Sequence, residues 1–533
     1  MSAEKYSSAI KSIKTDLSRY THRSVFSMSV QYLRTRNTDA VEEVKKMPWL
    51  VMLLVKFSFL ESEGVLEINE SQFYLIANKL YSLQSLASNI KTRPLDLKLR
   101  ALTVQQLWYQ QSHQKDYLSL IRQSHLMRRD DGFYDKKFRE ITGIDIDNFF
   151  TVALYMMTLA RSDAASNVME VSLPSIVFHL TPNVPLSQLA KFFELLAIKF
   201  EDISDFLKKG HELKGEPQSE YFQETPFKLK PIVIDGSSVY IFNSRVFVTG
   251  VSLLLPALLK KKINNYKNEF GSDMESYVGR LIAISGLQHI TEREIGQLYA
   301  SAGLRAKLKE EGVSGKVVDF ALSDGKDRVV LIECKAVEPS DVVKASYDPE
   351  VLRASLENSF INAIVQGEET KFILSKIPEF EGKKFKLIVI THQEFNIFGG
   401  AMVGECIDFG LEDRLCKKYG ELPIELNDVA YVTVGDFESL MSAHSIGKIN
   451  FHDFIDECLQ QQLNPAGKRF SMSQMVEEKI KVSVPQIPEL SAEMDLHTNR
   501  IFSAMKGSKA RWIGKVAEFI SASDYLAAHI RAK

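Results

Sequence analysis

Apolar residues recur at three- and four-residue spacing over 73–86, 95–111 and 147–161. That is the period of helices with one buried face. Few β-branched runs interrupt the first 225 residues, so this region reads as mostly helical, without repeats or low-complexity tracts. The polar stretch 208–225, with two glycines and a proline, reads as a linker. After it come short β-rich runs at 231–234, 239–242 and 246–248, the first two separated by the turn sequence DGSS. Residues 251–262 predict a helix ending in three lysines.

From 266 to about 444 helical and extended patterns alternate. Met274, Tyr277, Val278, Leu281 and Ile282 share one helical face within 271–285. A second helix is predicted over 298–311, strands over 316–322 and 328–337 around the turn SDGKD, and a helix over 349–366. Apolar runs at 385–391 and 429–434 predict further strands, and a closing helix over 436–444 takes Asp436 as its N-cap. Apolar strands separated by helices predict a mixed sheet covered on both faces. Helices are expected over 448–462 and 495–533, with 463–490 crossing between elements. The chain therefore reads as an α+β multidomain protein. It has a helical region over 1–225, a β-containing connector over 226–265, an α/β/α core over 266–445 and a C-terminal helical extension over 446–533.

Composition narrows the class. The 533 residues are 45% hydrophobic and 25% charged, which are globular proportions. The 66 basic and 68 acidic side chains leave a net charge of −2, so bulk positive charge cannot drive nucleic-acid binding. Cys334, Cys406, Cys416 and Cys458 form no CxxC or zinc-site spacing, which fits a reducing, cytoplasmic setting. The apolar stretches 47–60 and 246–259 are too short to cross a bilayer, and the first residues lack a signal-peptide pattern. There is no GxxxxGK[ST] phosphate loop and no GxSxG elbow.

One constellation carries chemistry. Asp319 lies in one apolar strand, and Glu333 and Lys335 near the end of the next. Alternation puts Glu333 and Lys335 on one face and Cys334 on the other. If the strands pair through SDGKD, Asp319 reaches the same region. An acid in an apolar strand is costly unless it is paired or binds a metal, and a hard dication removes the repulsion between two of them.

Asp319…Glu333-Cys334-Lys335 resembles the PD-(D/E)xK signature of restriction-endonuclease-like cores, over roughly residues 266–444. The upstream FGSDMESYVGRLI, with Glu275, resembles the first core helix of that family. Similar E-x-K or D-x-K triplets at 43–45, 96–98, 212–214 and 477–479 lie in helical or linker contexts. Val318 stands where the family often has proline, and the QxxxY helix pattern of one subgroup is absent, Gln366 being followed by Thr370. The resemblance implies Mg²⁺, with Mn²⁺ as a substitute, held by Asp319, Glu333, the main-chain carbonyl of Cys334 and Glu275. It also implies phosphodiester hydrolysis in which Lys335 orients the attacking water, with DNA favoured over RNA.

Weaker signals complete the reading. Glu292 and Glu294 are expected to face solvent, although either could replace Glu275. His289 and His392 lack partners at ligand spacing, and Cys334 is expected to pack as a small apolar residue away from the ion. Lys260, Lys261, Lys262 and Lys267 are candidates for phosphate-backbone contact. Trp108, Tyr109 and Tyr117 read as core residues. A large helical region beside a nuclease-like core suggests a protein partner or self-association there, an arrangement like that of bacterial phage-defence nucleases. The rival reading is a non-catalytic scaffold built on a degenerate nuclease core.

Overall fold

The computed structural model describes residues 2–34, 47–88, 94–109, 113–162, 168–210, 217–304, 308, 310, 312–480 and 486–530. The protein is α+β, with two mixed sheets. It forms two compact units, one of residues 1–91, 102–264 and 488–533, the other of 92–101 and 265–487. Among the described residues no helix is long and apolar enough to cross a membrane.

The first unit is mainly helical and contains a four-stranded sheet. Its strands are β1 (Met169–Ser172), β2 (Ala197–Lys199), β3 (Ile232–Asp235) and β4 (Ser238–Ile241), in the order β1-β4-β3-β2. β3 and β4 form the expected hairpin, with Gly236 at φ +59° in its turn. The stretch 226–265 is not a separate connector, because β1 and β2 come from the helical region and flank that hairpin. Residues 246–248 are not a strand. Asn243 accepts bonds from the amides of Arg245 and Val246 and caps the Ser244–Lys262 helix, so this apolar run is the helix's buried first turn. The apolar Pro48–Leu60 helix is buried nearly all round, and its one charge, Lys56, is paired at 2.8 Å with buried Glu220. Tyr109 is buried and Tyr117 half-buried, while the Trp108 side chain lies outside the described residues. The C-terminal stretch is two helices, Pro488–Trp512 and Val516–His529, broken near Gly514 at φ +74°.

The second unit holds a five-stranded sheet of β5 (Gln288–Thr291), β6 (Phe320–Ser323), β7 (Arg328–Lys335), β8 (Lys384–Thr391) and β9 (Val429–Thr433), in sequential order. β5, β6 and β7 pair antiparallel, and β7, β8 and β9 parallel. The Tyr266–Ser285 helix precedes the sheet and ends at Gly286, φ +78°. At Gly279 it lies against the ring of Phe320. The Asn362–Leu374 helix joins β7 to β8, and at Gly367 it lies against Leu387. Phe320 pairs with Ile332, whereas Leu387 pairs with Leu331, so the two helices cover opposite faces.

Several boundaries depart from the periodicity. The helix expected over 298–311 is Glu292–Ser301, started by a capping box between Thr291 and Glu294; part of 305–311 lies outside the described residues. The strand expected over 316–322 begins only at Phe320. The amides of Gly315 and Val318 are bound by Glu369 and Thr370 of the Asn362–Leu374 helix instead of by a neighbouring strand. Thr433, not Asp436, caps the Val434–Ser445 helix, and Asp436 accepts the Thr433 hydroxyl from the helix's first turn.

Candidate active site

β6 and β7 set the geometry. Phe320 pairs with Ile332, and one step further along that register Asp319 stands across from Glu333. The carbonyl of Asp319 accepts the amide of Glu292 at 2.7 Å, which extends the β5–β6 pairing one residue beyond Thr291 and Phe320. The Asp319 carboxylate accepts the main-chain amide of Cys334 at 2.6 Å. Glu333 and Lys335 share the face covered by the Asn362–Leu374 helix, as alternation predicts. Lys335 Nζ donates to Glu333 Oε1 and, at 3.0 Å, to Gln366 Oε1. Glu333 is only 2% exposed, and its second oxygen, Oε2, is buried with no hydrogen-bond partner among the described residues. Asp319, Lys335 and Glu275 are half-buried.

Glu275 belongs to the helix on the opposite face of the sheet. Asp319, at the strand end, lies within electrostatic reach of both sides. Burial, then the Asp319 charge, pushes Glu333 up to about 8, with Lys335 acting against the rise. Burial, then Asp319 and Glu292, pushes Glu275 up to about 7. Burial also raises Asp319, opposed by the Cys334 amide and by Lys335. The ionisation of Asp319, Glu333 and Glu275 is thus disfavoured by burial and by neighbouring acids, and the Lys335 ammonium offsets part of that at Asp319 and Glu333. Among the described residues no set of three or more His, Cys, Asp or Glu side chains is gathered closely enough to hold a metal by itself.

By alternation Cys334 lies on the face opposite Glu333 and Lys335, as expected, yet it stays close to the group, because its main-chain amide bonds the Asp319 carboxylate. Its thiol is raised well above its ordinary value by burial and by Asp319, Glu333 and Glu275. Glu294 is spent on the capping box, accepting Thr291 N at 2.7 Å and the Thr291 hydroxyl at 2.8 Å. Glu292 is exposed as expected, yet its charge is felt at Glu275, Asp319 and Glu333. Gln366 was not singled out as a site residue. In the sequence it stands out only as the glutamine of an incomplete QxxxY pattern, one turn before Glu369 and Thr370, the two residues that hold the approach to Asp319. His392 lies edge-on to Phe270, with Nδ1 3.3 Å from Glu338 Oε1, and His289 Nδ1 lies 3.1 Å from the Leu287 carbonyl.

The basic cluster divides. Lys260, Lys261 and Lys262 are exposed at the end of the Ser244–Lys262 helix, in the first unit. There they complement the helix dipole. Lys267 is exposed in the first turn of the Tyr266–Ser285 helix, in the second unit. Comparison with family models, curated proteins and solved structures finds no match.

Proposed function

We propose that the second unit is a metal-dependent nuclease core that hydrolyses phosphodiester bonds, with DNA as the favoured substrate. The observation that carries the reading is the convergence of Asp319, Glu333 and Lys335 at the ends of two paired strands, with Glu333 Oε2 buried and unpartnered. An orphaned carboxylate oxygen beside a second carboxylate is an all-oxygen donor set suited to a hard dication. The residues present therefore fit Mg²⁺ or Mn²⁺, held by Asp319 and Glu333 with the Cys334 main-chain carbonyl, and Glu275 at the edge. When bound, such an ion supplies Lewis-acid polarisation of a phosphate and a more acidic water.

The chain's own groups do the rest. Lys335, held between Glu333 and Gln366, presents an ammonium where negative charge develops on a phosphate. The Cys334 amide fixes the Asp319 carboxylate, and the Glu369 and Thr370 side chains fix the chain leading to it. An effector role in antiviral defence, with a partner or second copy at the helical region, is the biological setting this reading suggests by architecture.

One observation favours a scaffold instead: Glu333 is almost fully buried and already ion-paired with Lys335. Incubation of plasmid, single-stranded DNA and RNA with Mg²⁺ separates the two. The nuclease reading expects cleavage by wild type that is lost in Glu333→Gln and Lys335→Ala and on chelation. Intact substrates throughout, or cleavage unchanged in both variants, would overturn it.

A further inference from the structure

We propose that the corner between the Pro488–Trp512 and Val516–His529 helices, in the first unit, docks on an anionic lipid bilayer, lying at the headgroup level without crossing it.

Charge is one-sided along this part of the chain. From Leu496 to Ala517 there are five basic residues, Arg500, Lys506, Lys509, Arg511 and Lys515, and no acidic one. Arg500 is spent on Asp147 at 2.8 Å, and Lys515 stands 3.7 Å from Glu518 at the surface. Lys506 and Lys509 are exposed, and neither has an ion pair among the described residues.

Apolar side chains stand beside these lysines. Phe502, Lys506, Lys509 and Ile513 recur at three- and four-residue spacing, on the helix face opposite buried Ile501, Ala504 and Ser508. Phe502 is 67% exposed and Ile513 78%. Beyond Gly514, Val516 is 66% exposed and Ile520, one turn on, 53%. Large apolar side chains left in water together mark an interaction surface.

The corner is anchored from within. Trp512 Nε1 donates to the Phe178 carbonyl at 3.1 Å, and the Trp512 ring meets Phe519 edge-on at 5.2 Å. Phe519 in turn meets Phe178 edge-on at 6.1 Å. Arg511 donates to the Thr181 carbonyl and, at 2.8 Å, to Asn183 Oδ1. Chain on both sides of Gly514 is thereby fixed to the Leu173–Leu180 helix and the residues just after it, and Ile513 and Val516 stand outward from the corner.

The mixture selects the occupant. A two-fold contact with a second copy would set these lysines against one another. Nucleic acid would satisfy the lysines but offers little apolar surface to Ile513, Val516 and Ile520. A protein partner would need an acidic groove shaped to a convex corner. A bilayer interface takes both kinds of side chain: aliphatic and aromatic groups enter the acyl boundary while ammonium groups stay among anionic headgroups.

The test is flotation of the full chain with phosphatidylcholine vesicles and with equimolar phosphatidylcholine–phosphatidylglycerol vesicles, and it reads binding independently of any cleavage. The expected result is flotation with the anionic vesicles that fades at high salt, and little with the neutral ones. Affinity should fall about tenfold or more in Lys506→Gln/Lys509→Gln, since each lysine at an anionic surface is worth about fivefold. It should fall likewise in Ile513→Ser/Val516→Ser, which keeps the charge and removes the apolar contact. No flotation of wild type with anionic vesicles, or equal flotation with neutral ones, would overturn the proposal without recourse to any variant. So would either variant, folded by circular dichroism, floating as wild type does. DNA retention lost in the lysine variant, or self-association lost in the Ile513 and Val516 variant, each without vesicle binding by wild type, would overturn it in favour of nucleic acid or a second copy.

Discussion

Buried charges in the second unit divide into those that hold the chain and those that the chain leaves in tension. Arg100 is the first kind. Its side chain is fully buried and donates to the carbonyls of Val343, Ser346, Phe395 and Asn396 at 2.7–3.2 Å. Burial lowers it only to about 10, so it remains a cation. Arg100→Met would strand buried acceptors at about 1–3 kcal/mol each. Urea unfolding should show a loss of several kcal/mol, with Arg100→Lys only partly restoring stability because an ammonium lacks the planar fork.

Glu368 is the second kind. It accepts the Ile424 amide at 2.8 Å, but burial pushes it up to about 8 from 4.5. A raised carboxyl costs nothing below pH 4.5, where both states are protonated. As pH rises from there towards 8 the unfolded chain ionises first, so stability is lost across that window. Glu368→Gln is expected to gain on wild type progressively from about pH 5 to 8, since each tenfold preference for protonation is worth about 1.4 kcal/mol. A stability difference that stays flat with pH would contradict this.

At the scale of elements, the Asn362–Leu374 helix organises the candidate site. Gln366 meets Lys335, Glu369 and Thr370 bind the amides of Gly315 and Val318, and Gly367 allows close approach to β8. A Cβ at Gly367 would lie 2.5 Å from Leu387 Cδ2. Gly367→Ala is therefore expected to cost about 1–3 kcal/mol in urea unfolding, as overpacked cores do. It should also lower any nuclease rate by displacing Gln366. The same helix explains what the sequence could and could not reveal. The β6–β7 hairpin and the shared face of Glu333 and Lys335 were legible because alternation and a turn motif are local signals. The start of β6 was not, because its approach is held by side chains from a helix 50 residues away. Asn243 and the Thr291–Glu294 box were legible in principle as capping residues, but apolar periodicity outweighed them.

At the scale of the molecule, two compact units share one chain. The five-stranded sheet joins an antiparallel hairpin to parallel strands, with helices on both faces. Its last four strands were legible from alternating apolar runs, whereas β5, a four-residue edge strand without an apolar run, was not. The grouping of residues 92–101 with 265–487, and of 488–533 with the helical region, was not, because composition carries no record of long-range contacts. Glu275 shows the same limit. Its helix was predicted, but its approach to Asp319 from the other face depends on how that helix packs on the sheet.

The central claim is that Asp319 and Glu333 present a cation site beside Lys335. Calorimetric titration with Mn²⁺, and competition by Mg²⁺, tests it without reference to any substrate. The account predicts saturable binding by wild type and by Cys334→Ala, which keeps its main-chain carbonyl, and loss of that binding in folded Asp319→Asn and Glu333→Gln. Wild type that takes up no Mn²⁺, or variants that bind it as wild type does, would contradict the account.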